Sequence, residues 1–80
     1  MTTQALTIYS TPWCGYCTRL KNQLRREGVD YVDVDIEQDP EAEQFVMGVN
    51  SGNAVVPTVV FPDGSTATNP TLREVTARLA

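Results

Sequence analysis

Cys14 and Cys17 stand three residues apart in the segment Trp13-Cys14-Gly15-Tyr16-Cys17, in a chain that contains no histidine. Without histidine there is no Cys-His or Ser-His-Asp hydrolase, no His-ligated zinc and no imidazole proton shuttle. Two thiols alone cannot close a tetrahedral zinc site without a second chain. A structural disulfide across so short a loop contributes at most roughly 2 kcal/mol by loop entropy, before strain is subtracted. Thiol–disulfide exchange is the chemistry that remains: a thiolate attacks a disulfide sulfur, a mixed disulfide forms, and a further thiol opens it. If Cys14 opens a helix, unpaired N–H groups and the positive end of the helix dipole favour its thiolate and make it the nucleophile. Cys17, one turn deeper on the same face, is then the more buried resolving thiol, its thiolate disfavoured.

The elements around this pair can be read from pattern. Leu6 to Ser10 is a short β-prone run that stops at Ser10-Thr11-Pro12, a first strand feeding the cysteine segment. From Cys14, Cys17, Leu20 and Leu24 recur at helical spacing, Arg25 and Arg26 complement the dipole of the last turn, and Gly28 ends the helix. Val29 to Ile36 alternates, with Val32, Val34 and Ile36 on an inner face and Asp33 and Asp35 on the other, as in a half-buried strand at a sheet edge. Asp39-Pro40 is a cap followed by a first-turn proline, and Ala42, Phe45, Val46 and Val49 mark the second helix, which ends at Asn50-Ser51-Gly52-Asn53.

Ala54 to Phe61 is a β-branched run interrupted by Pro57, and the turn Pro62-Asp63-Gly64-Ser65 returns the chain as an antiparallel strand through Thr68. Asn69-Pro70 repeats the cap-plus-proline device ahead of a last helix marked by Leu72, Val75 and Leu79. The order βαβαββα predicts one α/β domain over residues 1–80, a mixed four-stranded sheet with helices on both faces.

Eighty residues, 41% hydrophobic, suit one small core. Six Lys and Arg against ten Asp and Glu give a net charge of −4, so neither nucleic acid nor an anionic membrane is an expected partner. Met1 to Tyr9 has no basic residue or long apolar run, and no stretch approaches a membrane span, which points to the cytoplasm and to cysteines kept as thiols or cycled. The acidic run Asp30, Asp33, Asp35, Glu37, Asp39, Glu41 and Glu43 lacks calcium-loop spacing and reads as solvated surface plus dipole complementarity at the second helix.

Trp13 to Cys17, the pair Val56-Pro57 before a strand and the βαβαββα order over essentially the whole chain resemble the glutaredoxins of the thioredoxin superfamily. Within that group W-C-G-Y-C, V-P-T-V at Val56 to Val59 and D-G-S-x-x-T-N-P at Asp63 to Pro70 look most like the mycoredoxins, which use mycothiol in place of glutathione. The resemblance implies a cis Pro57 beside the nucleophile Cys14, and a Val56 backbone that receives the peptide-like part of the bound thiol. The charges with which glutaredoxins meet glutathione are not at their usual places: Ser10 and Thr11 precede Pro12-Trp13, Thr68-Asn69 replaces Gly-Gly, and Leu72 falls near the expected acid. Gly15 stands where many glutaredoxins have proline.

Mycothiol has a neutral, disaccharide-like head suited to hydroxyl, amide and aromatic surface, and Thr68, Asn69, Thr71, Trp13 and Tyr16 are the candidate contacts. The implied activity is reduction of mycothiol mixed disulfides on proteins or small molecules by a monomer without a bound prosthetic group. Mycothiol is the cosubstrate, glutathione the less favoured one, and a mycothiol disulfide reductase closes the cycle. The alternatives are a dithiol redoxin fed by thioredoxin reductase and an iron–sulfur carrier in which Cys14 of two chains bridges a cluster.

Overall fold

A computed structural model describes residues 6–79; the remaining part of the stretch read for a targeting signal, residues 1–5, lies outside them. The elements follow the predicted order: β1 (Leu6–Ser10), α1 (Gly15–Arg26), β2 (Tyr31–Asp35), α2 (Pro40–Val49), β3 (Thr58–Val60), β4 (Thr66–Thr68) and α3 (Leu72–Leu79). The sheet order is β2-β1-β3-β4. β1 runs parallel to β2, with Leu6 opposite Tyr31 and Ser10 opposite Asp35. β3 is antiparallel to both β1 and β4, with Val59 opposite Ile8 on one side and Ala67 on the other. Among the described residues no helix is long and apolar enough to cross a membrane.

Alternation along β1 divides the apolar side chains between two faces. Leu6 and Ile8 join Val59 of the neighbouring β3 and Phe61 just after it, and α1 and α3 cover them with Leu20, Leu24 and Val75. On the opposite face Tyr9, Val34 and Val56 pack around Ile36, Ala42 and Val46, the last two from α2. Helices therefore lie on both faces, and the β1–α1 junction that carries the cysteines is anchored from both. Tyr9 also packs its ring against Phe45, centroids 5.2 Å apart, which holds α2 close to the centre of the sheet.

Three local expectations are corrected. Val32 shares a face with Val34 and Ile36 but is 53% exposed, because β2 is the sheet's edge and α2 covers only the later two. β3 is limited to three residues, since the chain from Ala54 to Pro57 forms a loop rather than a strand. Asn69 does not cap α3: it takes a left-handed conformation, φ 48°, and turns the chain out of β4. The cap is Thr71, whose Oγ1 accepts from the Glu74 N–H at 3.1 Å while Glu74 Oε1 accepts from the Thr71 N–H at 3.2 Å. The reciprocal Thr-x-x-Glu arrangement satisfies two free donors. At α2 the predicted device holds, with Asp39 accepting from the Ala42 N–H ahead of Pro40.

Thr71→Ala is expected to cost about 1 kcal/mol of unfolding free energy, as loss of a hydroxyl cap does. Asn69→Gly, which keeps the left-handed turn, should change stability by no more than a few tenths of a kcal/mol. Paired urea titrations distinguish the two, and the reverse ranking would return the capping role to Asn69.

Candidate active site

The cysteine segment leaves the sheet at Ser10, passes through the turn Thr11-Pro12-Trp13, and enters α1 at Gly15. The turn is closed by the Cys14 N–H donating to the Thr11 carbonyl. Cys14 is the N-cap of α1, and its side chain does what a serine or aspartate does elsewhere: Sγ accepts from the Cys17 N–H at 3.1 Å. The sulfur thus sits where the first-turn amides converge, at the positive end of the helix dipole. From across the cleft the Val56 carbonyl faces the same sulfur, with Sγ donating to it at 3.9 Å. The peptide bond from Val56 to Pro57 is cis.

Cys17 lies below, fully buried, whereas Cys14 retains 6% of its surface; both are free thiols. Burial pushes the Cys17 thiol up from 9.0 to about 12, and the neighbouring Cys14 side chain adds to the rise against weaker opposition from the Thr11 backbone and the Lys21 charge. Cys17 is therefore protonated at neutral pH.

The aromatic neighbours are the most exposed large side chains near the pair, Trp13 at 72% and Tyr16 at 68%. They stand over two different grooves. Trp13 and Cys14 border an open groove of about 640 Å³ along α1, floored by Thr18, Asn22 and Gln23 and edged by Arg19 and Arg26. Tyr16 borders a narrower one of about 270 Å³ between α1 and the segment before α3, where Asn69 and Thr71 line the opposite wall. The structure thus brings Tyr16, Asn69 and Thr71 together. Thr68 turns away, its hydroxyl donating to Asn50 Oδ1 at 2.6 Å at the end of α2.

Several residues that hold the site carry no motif. Asn50 Nδ2 donates to the Val46 carbonyl at 2.8 Å and to Thr58 Oγ1 at 3.1 Å, and that hydroxyl donates to the Val55 carbonyl at 2.8 Å. The Asn69 N–H donates to the Pro57 carbonyl at 2.8 Å. Together these contacts pin the Val55-Val56-Pro57 loop opposite Cys14. Two carboxylates of the acidic run are more than solvated surface. Glu37 accepts from the Trp13 indole N–H at 2.8 Å. Asp33 accepts from Ser10 Oγ at 2.6 Å and pairs with Lys21 Nζ at 2.9 Å. Burial alone would raise the Asp33 carboxyl, but Ser10 and Lys21 together bring it below its ordinary value. Arg19, which lines both grooves, was not legible as a site residue, because its position follows only from how α1 is rotated against the sheet.

The glutaredoxin family model matches residues 6–65. The chain belongs to the glutaredoxin family. It is therefore a thiol–disulfide oxidoreductase of the thioredoxin-like α/β fold. It is 57% identical over 79 residues to a Mycobacterium tuberculosis protein described as a glutaredoxin, an alignment covering 99% of this chain and 94% of that protein. It is 47% identical over 74 residues to Mycoredoxin 1 of Corynebacterium glutamicum, covering 92% and 91%. Among solved structures, a glutaredoxin from Archaeoglobus fulgidus superposes with a TM-score of 0.75 at 25% identity, over 92% of this glutaredoxin and 84% of that chain. The NrdH-redoxin of Escherichia coli gives 0.75 at 23% identity over 96% of each, a likeness of fold.

The raised Cys17 thiol links folding to pH. The folded state holds a proton that the unfolded chain releases near pH 9, so this contribution is complete below pH 9 and is lost as pH rises toward about 12. Urea midpoints measured from pH 8 to 11 should fall more steeply for the native protein than for Cys17→Ala. Iodoacetamide at neutral pH should label Cys14 and leave Cys17 unmodified, as read by peptide mapping.

Proposed function

We propose that this glutaredoxin reduces mycothiol mixed disulfides on proteins and small molecules, with mycothiol as its reductant. The observation that carries the reading is the division of labour at the start of α1: Cys14 Sγ receives an amide N–H at the head of the open groove, two residues before the Tyr16 that borders the narrow one, while Cys17 is sealed beneath it and held protonated. Cys14 attacks the mycothiol sulfur of the substrate, the substrate S–S bond breaks, and the substrate leaves as a thiolate that takes a proton from water. A second mycothiol thiolate attacks the mycothiol sulfur of the enzyme mixed disulfide. It releases the Cys14 thiolate and leaves mycothiol disulfide, which an NADPH-dependent reductase returns to the thiol. Cys17 could open the same bond only after losing its proton, which its burial disfavours, so the route through a second small thiol is the favoured one.

Identity to Mycoredoxin 1 over most of both chains supports mycothiol as that thiol. The narrow groove agrees in chemistry, since beside the Arg19 guanidinium it presents Tyr16, Gln23, Asn69 and Thr71, the aromatic, amide and hydroxyl groups suited to a sugar-like head. Val56, facing Cys14, and Pro57 behind it form the wall for the peptide-like part of the thiol. Trp13 supplies the outer lip, and Thr68 contributes through Asn50 rather than by touching the thiol. In this reading the protein works as a single-domain monomer in the cytoplasm, consistent with its reliance on free thiols.

A mycothiolated protein offered with mycothiol, mycothiol disulfide reductase and NADPH tests the assignment. Cys14→Ser is expected to abolish turnover, while Cys17→Ser retains it to within about threefold, because the small-thiol route bypasses Cys17. Loss of activity in both variants rejects that route. Faster turnover with glutathione and its reductase would transfer the assignment to glutathione.

A further inference from the structure

α1 carries Arg19, Lys21, Arg25 and Arg26, four of the six Lys and Arg of a chain whose net charge is −4, and its span Gly15–Arg26 contains no acid. Two of the four are engaged. Lys21 pairs with Asp33, and Arg25 donates to Asn22 Oδ1 and to the Tyr31 hydroxyl, both at 3.0 Å. Arg19 and Arg26 have no side-chain partner among the described residues: Asp33 is taken by Lys21, Glu37 by the Trp13 indole, and Glu41 and Glu43 lie on α2, across the sheet.

Residues seven apart return to nearly the same angle on a helix, so Arg19 and Arg26 lie on one stripe, with Asn22 and Gln23 between them. This stripe edges the open groove that begins at Trp13 and Cys14. Along the axis the two guanidinium-bearing positions stand about 8 and about 18 Å from Cys14 at 1.5 Å per residue. An extended chain advances about 3.3 Å per residue, so they fall opposite positions about two and about five residues from a cysteine held at Cys14.

From this arrangement we propose that the exposed face of α1 docks an extended acidic segment of the protein substrate, with carboxylates about two and about five residues from the disulfide-bonded cysteine. The proposal rests on the thiol–disulfide exchange described above and adds which protein substrates are preferred. The occupant is a peptide rather than the small thiol. The small thiol is assigned to the narrow groove beside Tyr16, whereas the open groove runs from Trp13 and Cys14 along α1 as far as Arg26, a length suited to several residues of extended chain. Acidity follows from charge: an acidic chain that leaves two arginines unpaired along a groove from its nucleophile attracts carboxylates there and repels them elsewhere.

The test uses one peptide sequence with a central cysteine carrying 2-mercaptoethanol in disulfide linkage, and with Glu, Gln or Lys two and five residues from it. The reduced protein is the reductant: Cys14 forms a disulfide with one substrate sulfur, the substrate bond breaks, and the departing thiolate is protonated by water. Rapid-quench rates at low salt are expected to rank Glu above Gln above Lys, with about a fivefold to tenfold advantage of Glu over Gln that fades in 0.5 M salt. R19E/R26E should reverse the order and R19Q/R26Q should level it, with circular dichroism confirming the fold of each. Equal rates for the three peptides with the native protein, or a Glu preference that survives R19E/R26E, overturns the docking face and leaves the exchange chemistry intact. No reaction with any peptide, from protein whose Cys14 is freely alkylated, overturns the exchange reading and the docking face with it.

Discussion

A sulfur atom occupies the place where a helix normally receives an oxygen. Cys14 Sγ caps α1 by accepting from the Cys17 N–H, and this contact binds together the turn, the helix start and the second thiol. A capping oxygen would satisfy the same donor and end the matter, whereas a sulfur leaves the helix start able to exchange covalent partners. Cys17 takes part in the same contact. Its backbone supplies the donor, and its side chain points inward from the first turn, where burial keeps it protonated.

The rest of the fold keeps that contact in register with the opposing loop. The α1/α3 cluster fixes the depth of the helix through Leu20 and Leu24, while the Lys21–Asp33–Ser10 network ties α1 to the end of β1 and the middle of β2. On the far side, Asn50 commits both ends of its amide to Val46, Thr58 and Thr68, and so fastens the end of α2 to β3 and β4 just behind Pro57. The two anchoring systems are polar and part-buried, and they approach the cleft from opposite faces of the sheet. Apolar packing sets the layers, and directional hydrogen bonds set the loops between them.

Element order, the mixed four-stranded sheet and the cysteine pair were readable in the chain, because each rests on local pattern: alternation, helical spacing, cap-plus-proline, or a motif three to five residues long; the cis state of Pro57 came only with the family resemblance. The inner face assigned to Val32 failed because alternation shows which residues share a face but not how far a ten-residue helix reaches over it. Asn69 misled for a different reason. Asparagine serves both as a cap and in left-handed turns, and here the Thr71–Glu74 box had already met the demand for a cap. Asn50, Glu37 and Arg19 escaped notice because their roles arise from contacts 8 to 24 residues away or from helix rotation, which no local pattern encodes.

Trp13 is the chain's single tryptophan, and it stands next to the reactive sulfur with its indole N–H held by Glu37. Light emitted by this protein on ultraviolet excitation of tryptophan therefore originates at one address, the rim of its own active site. Disulfide sulfur quenches an adjacent excited indole by accepting an electron, so oxidation or capture of a partner at Cys14 dims the glow, and its release restores it. The molecule carries its own optical gauge of redox state, without any attached dye.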